Sequence, residues 1–464
     1  MTETDLDALL ARVGERVRPD EAERERLAEA AADLSARAAA AVAELPAPAN
    51  EAEVLQVGST ARGTWLAGDR DIDLFVRFPT DVDEADLETY GLRVGHAALP
   101  GGREEYAEHP YVKGRYEGFD VDLVPCYDVE SAADIRSSVD RTPFHNAYLD
   151  ARIDEALAGD VRTFKRFLKG IGVYGSDLRT QGFSGYIAEL LVLDHGGLRP
   201  LLEAAADWTP QVTIDPENHG RGSFDDPLVV YDPTDPERNV AAVLSRDNLA
   251  RFQHHARKLL EDPRDEAFFP PKREPMGEAD VREHVGRRGT VPVAVAFDAP
   301  DIVDDQLYPQ LRRSLDGLER ELSGRGFEVV RSTTAATDGG DVGDADGRRG
   351  MLLFELTHRR LPAVERHDGP PVHVREHAEG FFDKYAGTDA YGPFVEDGRY
   401  VVEREREEPD AVALLESDRL FDAALGTRVE SALRGGYDVL AGEAVATLAE
   451  EFGDDLRAYF APTI

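Results

Sequence analysis

The sequence predicts a multidomain α+β protein, with an α/β head over residues 1–150, an α-helical middle domain over 151–270 and an α+β C-terminal region over 271–464. Three observations carry that division. Strand and helix signals alternate in the first part, helical spacing takes over in the second, and a β-α-β-β order follows a proline-broken segment in the third. At roughly 150 residues per domain, a chain of this length has room for about three.

The elements follow in order. Asp20 after Pro19 marks a helix start, Leu27, Leu34, Ala38, Val42 and Leu45 recur at helical spacing, and Pro46 ends the helix. A strand over 52–57 runs into a glycine-bearing turn, a second strand spans 72–78, and residues 119–125 give a third β signal. Phe164, Phe167, Leu168 and Ile171 mark one helix face, with Lys165 and Lys169 on another. Helical patterns also cover 186–193 and 239–260. Residues 268–275 (FFPPKREP) read as a linker. Beyond it come a strand at 291–297, a helix at 307–322 and strands at 326–330 and 351–356, an order shared by RNA-recognition-like and ferredoxin-like layers. Residues 338–350 read as an exposed loop. They lack the glutamate that an EF-hand needs twelve positions into its loop. No internal repeat is visible.

Composition bounds the function. The chain carries 92 Asp+Glu against 53 Lys+Arg, a net charge of −39, yet 42% of it is hydrophobic, so it can bury ordinary cores. No apolar run approaches the roughly 20 residues of a membrane span, and the N-terminus is acidic where a signal peptide is basic. These features predict a soluble, cytoplasmic protein. One cysteine, Cys126, excludes an internal disulfide framework and a thiolate zinc cluster. At face value the charge argues against a nucleic-acid partner. However, only six cations are lysine, and sparse lysine with abundant acid fits adaptation to molar salt. There the Debye length falls to about 3 Å and self-repulsion is screened. The charge then reports the solvent more than the partner.

An Asp-x-Asp pair means little in such a chain, where chance alone gives roughly 18 acid-x-acid pairs. Context supplies the information. Gly58-Ser59 closes a strand, Arg62 follows, and Asp71-Ile72-Asp73 opens the next strand. Alternation puts both carboxylates on one face and Ile72, Leu74 and Val76 on the other. Two such carboxylates can hold Mg²⁺, Gly58 lets the backbone approach a phosphate, and the Ser59 hydroxyl and nearby amides can cradle a triphosphate, with Arg62 as a planar cation in reach. A two-metal site needs a third carboxylate. Asp122 and Asp120 share a strand face, and spacing does not separate them.

The motifs GSTARGTW (58–65), DIDLFVRFP (71–79), AEHPYV (107–112), VDLVPCY (121–127), SSVDRTPFHNAYL (137–149), FKRFLKGIGVYG (164–175), GFSGYIAELL (182–191), DPERNVAAVLS (235–245) and DIVDDQLYPQLRR (301–313) occur in that order. Together they resemble the archaeal, class I CCA-adding enzymes, tRNA nucleotidyltransferases of the polymerase-β-like superfamily. The two-strand acidic motif specifies only the superfamily, whereas RTPFH, KGIGVYG and GFSGY specify the family.

The resemblance implies a polymerase-β-like head and a catalytic, metal-binding triad of Asp71, Asp73 and Asp122, which selects Asp122 over Asp120. It implies contacts to ATP or CTP from Gly58, Ser59, Arg62, His145, Lys165 and Tyr174, and a base-choosing role for Arg238. It also implies Mg²⁺ as cofactor, tRNA as partner and a homodimer. On the predicted helix 307–322, Tyr308, Arg312 and Arg313 are candidate tRNA contacts. The implied activity is template-independent addition of CCA to tRNA from CTP and ATP. The competing readings are a poly(A) polymerase or oligoadenylate synthetase using the same site, and a catalytically dead RNA-binding module. Retention of all three acids and the glycine-serine turn speaks against the last. The acid-rich stretches 364–370 and 403–410 depart from the basic surface expected of an RNA-binding region.

Overall fold

A computed structural model of the chain describes residues 3–106, 108–338 and 347–464. It divides into two compact units, Met1–Pro271 and Lys272–Ile464. The division falls inside the proline-broken segment: Phe268 is fully buried in the first unit's core and Met276 is buried in the second's.

The first unit opens with helices α1 (Glu3–Val17) and α2 (Glu21–Ala43). Asp20 caps α2, its carboxylate accepting from the Glu23 amide at 2.7 Å, as expected for an N-cap acid. There follow β1 (Glu53–Val57), the short helix α3 (Gly58–Ala61), β2 (Asp71–Pro79), α4 (Glu84–Ala98), β3 (Arg103–Tyr106), β4 (Pro110–Tyr116) and β5 (Phe119–Asp128). The five strands form one sheet in the order β1-β2-β5-β4-β3. Only β2 and β5 pair in parallel. Ile72, Leu74, Val76, Val121 and Leu123 point to the face covered by α2 and α4 and form one core with Leu34, Leu87 and Val94. Neither α4, β3 nor β4 was expected from the sequence. In α4, acids and two glycines mask the apolar stripe. A β-carbon on Gly91 would lie 2.7 Å from the Pro125 ring, so the glycine permits close helix-sheet packing.

A second core follows. Helices α5 (Thr142–Asp150), α6 (Glu155–Gly170), α7 (Gly185–His195) and α8 (Leu198–Ala206) lead to strands β6 (Val212–Ile214), β7 (Leu228–Asp232) and β8 (Asp235–Asn239), then helix α9 (Arg246–Glu261). The expected apolar face of α6 is present: Phe164, Phe167 and Leu168 are fully buried, and Phe252 of α9 lies 5.6 Å from the Phe164 ring. Leu6, Leu9 and Val13 of α1 belong to this core, not to that of the sheet. The middle region is not wholly helical, because β6, β7 and β8 form a small sheet. For the same reason α9 starts at Arg246, behind the Ser245 cap, and not at Asn239, which ends β8.

The second unit contains α10 (Glu278–Arg288), β9 (Val291–Asp298), α11 (Asp304–Gly324), β10 (Val329–Ala336), β11 (Arg349–Leu356), β12 (Val364–Pro371), α12 (Arg375–Tyr385), β13 (Tyr391–Glu396), β14 (Arg399–Glu405), α13 (Ala411–Glu416), α14 (Thr427–Gly435), β15 (Tyr437–Ala441) and α15 (Ala449–Phe460). Four strands pair antiparallel in the order β10-β11-β9-β15. The succession β9-α11-β10-β11-α14-β15 with that order is the split βαβ arrangement of ferredoxin-like layers, interrupted by a second sheet, β12-β14-β13. Helices α11 and α14 cover one face through Val293, Val295, Phe354, Leu311 and Val429. The other face is also closed: Ala294, Ala296, Met351 and Leu353 pack with Val281 of α10 and Phe452 of α15. RNA-recognition domains stack bases on aromatics of an open sheet face. Among the described residues, neither face of this sheet is left open for such a platform. Of the expected loop 338–350, residues 339–346 lie outside those described, and Arg349 and Gly350 begin β11.

Candidate active site

Register explains how the acids meet. In the parallel pair, Asp71 lies beside Asp120 and Asp73 beside Asp122, and all four alternate with core residues, so they share the face opposite α2 and α4. The two strand-β5 acids then diverge. Asp120 pairs with Arg115 at 3.1 Å. Asp122 Oδ2 accepts from Lys113 Nζ at 3.2 Å, while its Oδ1 is buried and accepts no hydrogen bond among the described residues, although that ammonium is 3.2 Å away. Burial first, then the charges of Asp122 and Asp71, push the Asp73 carboxyl up to about 6. Asp71 is raised by burial and by Asp69 and Asp120, and Asp122 is raised by burial against the pull of Lys113. Crowded carboxylates with raised affinity for protons, one of them carrying an orphaned oxygen, are a donor set suited to a hard divalent cation. Further along this face Cys126 is fully buried with Val57 and Phe75, and burial raises its thiol, so it is a core residue and no nucleophile.

The turn after β1 is built around this face. Val57 pairs with Asp73, so Gly58, the next residue, lies directly against the Asp73 carboxylate, at φ +81°. Ser59 is half-buried, and its carbonyl accepts from the Thr64 amide at 3.0 Å.

Beneath the turn lies a residue that the sequence did not single out. Glu189 on α7 is fully buried and accepts from Arg62 Nη2 at 2.7 Å, from Lys165 Nζ at 2.9 Å and from the Thr64 hydroxyl. Arg62 also donates to Asn146 Oδ1 at 2.5 Å. Burial works to raise the Glu189 carboxyl, but Lys165, Arg62 and Thr64 outweigh it and hold it below the usual carboxylate range. Lys165 was expected to face the triphosphate. It is instead 2% exposed and donates to the Thr64 carbonyl as well as to Glu189, so it acts on the turn from below. Tyr174 stands beside it: a β-carbon on Gly185 would lie 3.2 Å from the Tyr174 hydroxyl and 3.6 Å from Lys165 Nζ. Burial, reinforced by Asp69, Glu189 and Asp71, raises the Tyr174 phenol.

A third group surrounds Asp232, a fully buried residue at the end of β7. It accepts from His145 Nε2 at 2.7 Å, from Arg238 Nη1 at 2.7 Å and from the Thr234 amide at 2.9 Å. Burial opposes its ionisation, yet His145 and Thr234 hold the carboxyl well below its ordinary range. The His145 ring stacks on Tyr186 with centroids 4.1 Å apart. Asp232 and Tyr186 escaped the sequence reading; Tyr186 lies inside the shared motif at 182–191, whereas Asp232 stands three residues before the one at 235–245 and carried no signal of its own.

The three groups adjoin. Arg62 contributes to the field at Asp73 and at Tyr186, and its partner Asn146 follows His145 in the chain. Tyr308, Arg312 and Arg313 are on α11 of the second unit. Tyr308 is a correction: it is 6% exposed and packs in the core with Leu311 and Leu352, so it cannot stack on a nucleotide. Arg312 is half-buried and Arg313 exposed.

A mixed sheet with acids on two adjacent strands, a glycine-serine turn against them and a helical partner domain is the form of a polymerase-β-like nucleotidyltransferase. The nucleotidyltransferase domain profile matches residues 37–145, that of the tRNA nucleotidyltransferase second domain 159–269, and that of the CCA-adding enzyme C-terminal domain 288–442. The chain is 59% identical to the CCA-adding enzyme of Halorubrum lacusprofundi over 462 residues, 99% of each chain. It is 57% identical to that of Haloarcula marismortui, again over 99% of each, and 40% identical to that of Methanosarcina barkeri over 96% of this chain and 95% of that one. The chain belongs to the CCA-adding enzyme family. Its relatives in halophilic archaea accord with the salt-adapted composition. The solved E. coli MS115-1 CdnC structure with ATP aligns with a TM-score of 0.43 at 20% identity, over 56% of this chain and 94% of that one. No helix among the described residues is long and apolar enough to cross a membrane.

Proposed function

We propose that this protein builds the 3′-terminal CCA of tRNA, transferring CMP, CMP and then AMP from CTP and ATP without a nucleic-acid template. The observation that carries this reading is near-full-length identity to CCA-adding enzymes, joined to a sheet face that gathers Asp71, Asp73 and Asp122 beside the Gly58-Ser59 turn. The tRNA 3′-hydroxyl attacks the α-phosphorus of the bound nucleotide, the bond to the bridging oxygen breaks, and pyrophosphate leaves with the electron pair.

Asp71, Asp73 and Asp122 would hold Mg²⁺, which when bound supplies positive charge to the triphosphate and makes the attacking hydroxyl easier to deprotonate. Asp122, whose Oδ1 accepts no hydrogen bond among the described residues, is the carboxylate that takes that proton. Ser59 and the amides of its turn face the β and γ phosphates. Arg62, Lys165 and Glu189 together leave one net positive charge under the turn, which favours the anion above it. His145 and Tyr186 offer a stacked platform for the base, and Arg238, 39% exposed at its side chain, offers donors to the base edge. Selection of C and A over U and G then follows from donors and acceptors left unpaired by the wrong base.

In molar salt, counterion release contributes little to tRNA binding. Shape and hydrogen bonding carry more, and Arg313 is a candidate phosphate contact. The family resemblance also implies a homodimer, which light scattering tests.

The deciding experiment incubates the purified chain with tRNA lacking CCA, labelled CTP and ATP, and Mg²⁺ in molar KCl. Three discrete additions ending in CCA are expected. A ladder of A additions would assign a poly(A) polymerase instead, and no incorporation would refute catalysis.

A further inference from the structure

One motif shared with the family, AEHPYV at 107–112, is left unused by the catalytic face. Its His109, just before β4, is 4% exposed, and neither ring nitrogen has a hydrogen-bond partner among the described residues. Burying an imidazole this way discards its hydration without replacement. The ring meets Tyr127 edge-on, with centroids 6.4 Å apart. What Nδ1 does face is a carboxylate: Glu88 Oε1 lies 3.7 Å away. Glu84 stands one helical turn earlier on α4, on the same side as Glu88. One ligand atom from each of Glu84, Glu88 and His109 lies within 4.8 Å of the other two. Because α4 packs on the apolar face of the sheet, this cluster is on the opposite side from Asp71, Asp73 and Asp122.

We propose that Glu84, Glu88 and His109 form a binding site for one divalent transition-metal ion of the zinc class, separate from the catalytic carboxylates. Two carboxylates and one neutral imidazole, with water in the fourth position, are a familiar zinc or cobalt donor set. Ligand atoms at 2.0–2.1 Å from a tetrahedral ion stand roughly 3.4 Å apart, so the Nδ1 to Oε1 separation needs to close by only a few tenths of an ångström. Magnesium prefers an all-oxygen octahedron, so the imidazole separates this site from the catalytic one by metal type. Glu84 is exposed and gives the ion a way in. Bound there, the ion ties the end of the β3–β4 hairpin to α4.

The test reads metal binding and is independent of nucleotidyl transfer. The full chain carrying Asp71→Asn and Asp73→Asn, which weakens the catalytic site, is stripped of metal and titrated with Co²⁺ in molar KCl with excess Mg²⁺. A visible absorption band of four-coordinate Co²⁺ saturating at one equivalent, and bleached by Zn²⁺, is expected. Adding His109→Ala abolishes the band. Adding Glu88→Gln, at a side chain 40% exposed and so compatible with the fold, weakens Co²⁺ binding roughly tenfold or more, with far-ultraviolet circular dichroism unchanged. Absence of the band, or a band unaltered by Glu88→Gln, overturns the proposal even if His109→Ala fails to fold.

Discussion

Gly58 has no room for a side chain because of Asp73: a β-carbon at residue 58 would collide with Asp73 Oδ2 and lie 3.2 Å from its Cγ, and the backbone there has φ +81°. The glycine needed for close approach to a phosphate is therefore also the one that allows the central carboxylate its position. Gly58→Ala should lower kcat about a hundredfold by displacing that carboxylate while tRNA affinity stays within a few-fold. Single-turnover CMP transfer and filter binding check both halves, and an alanine variant with native kcat would show that Asp73 moves freely.

Asp71→Ala and Asp73→Ala should abolish transfer and leave tRNA binding nearly intact, because both side chains lie outside the apolar core. Loss of tRNA affinity in step with activity would remove them from the metal-binding role.

The Asp73 carboxyl, at about 6 in the folded chain against 3.8 in the reference state, keeps a proton through a range where the unfolded chain has lost it. Stability in EDTA accordingly falls as pH rises from about 4 to 6 on account of this group. Unfolding free energies of the parent and Asp73→Asn, from denaturant titration, should differ little near pH 4 and diverge in favour of Asn by roughly 2 kcal/mol at pH 7. The acid shell common to both cancels in that difference. A difference that does not vary with pH would contradict the raised carboxyl. With metal present, protons compete for the same oxygens, so transfer should decline as pH falls through about 6.

Lys165→Ala should do more than raise the nucleotide KM. It strips a fully buried carboxylate, Glu189, of one of its two cations, and breaking such a pair costs roughly 3 kcal/mol. Urea denaturation in molar KCl should register that loss. A raised KM with unchanged stability would mean that Lys165 leaves Glu189 to meet the triphosphate directly.

Asp232→Asn removes the charge that holds both His145 and Arg238. The ratio of kcat/KM for CTP over UTP should fall about tenfold or more, since base choice depends on those donors being fixed. An unchanged ratio would exclude the Asp232 group from reading the base.

Much of this was legible in the sequence for a physical reason. Alternation on a strand is rigid, so Asp71 and Asp73 had to share a face once Ile72 and Leu74 were buried. The glycine-serine turn and the amphipathic face of α6 were visible because they depend on near neighbours. The two-glycine helix α4, the β6–β8 sheet and the insertion between β11 and α14 were not, because their apolar patterns are short or diluted by acid and only distant partners complete them.

Local periodicity by itself determined the acid face, the helix carrying Lys165 and the break near Pro271, and the family motifs determined the chemistry. Tertiary structure alone decided among the competing partners of each charge. It paired Asp120 with Arg115, and Asp122 with Lys113 through one oxygen while the other accepts no hydrogen bond among the described residues. It buried Lys165 on Glu189, 24 residues away in sequence, and joined His145 to Asp232 across 87. It also withdrew Tyr308 into a core and closed the second unit's sheet on both faces. Which charges meet across a fold is set by long-range packing and desolvation, and neither leaves a periodic trace along the chain.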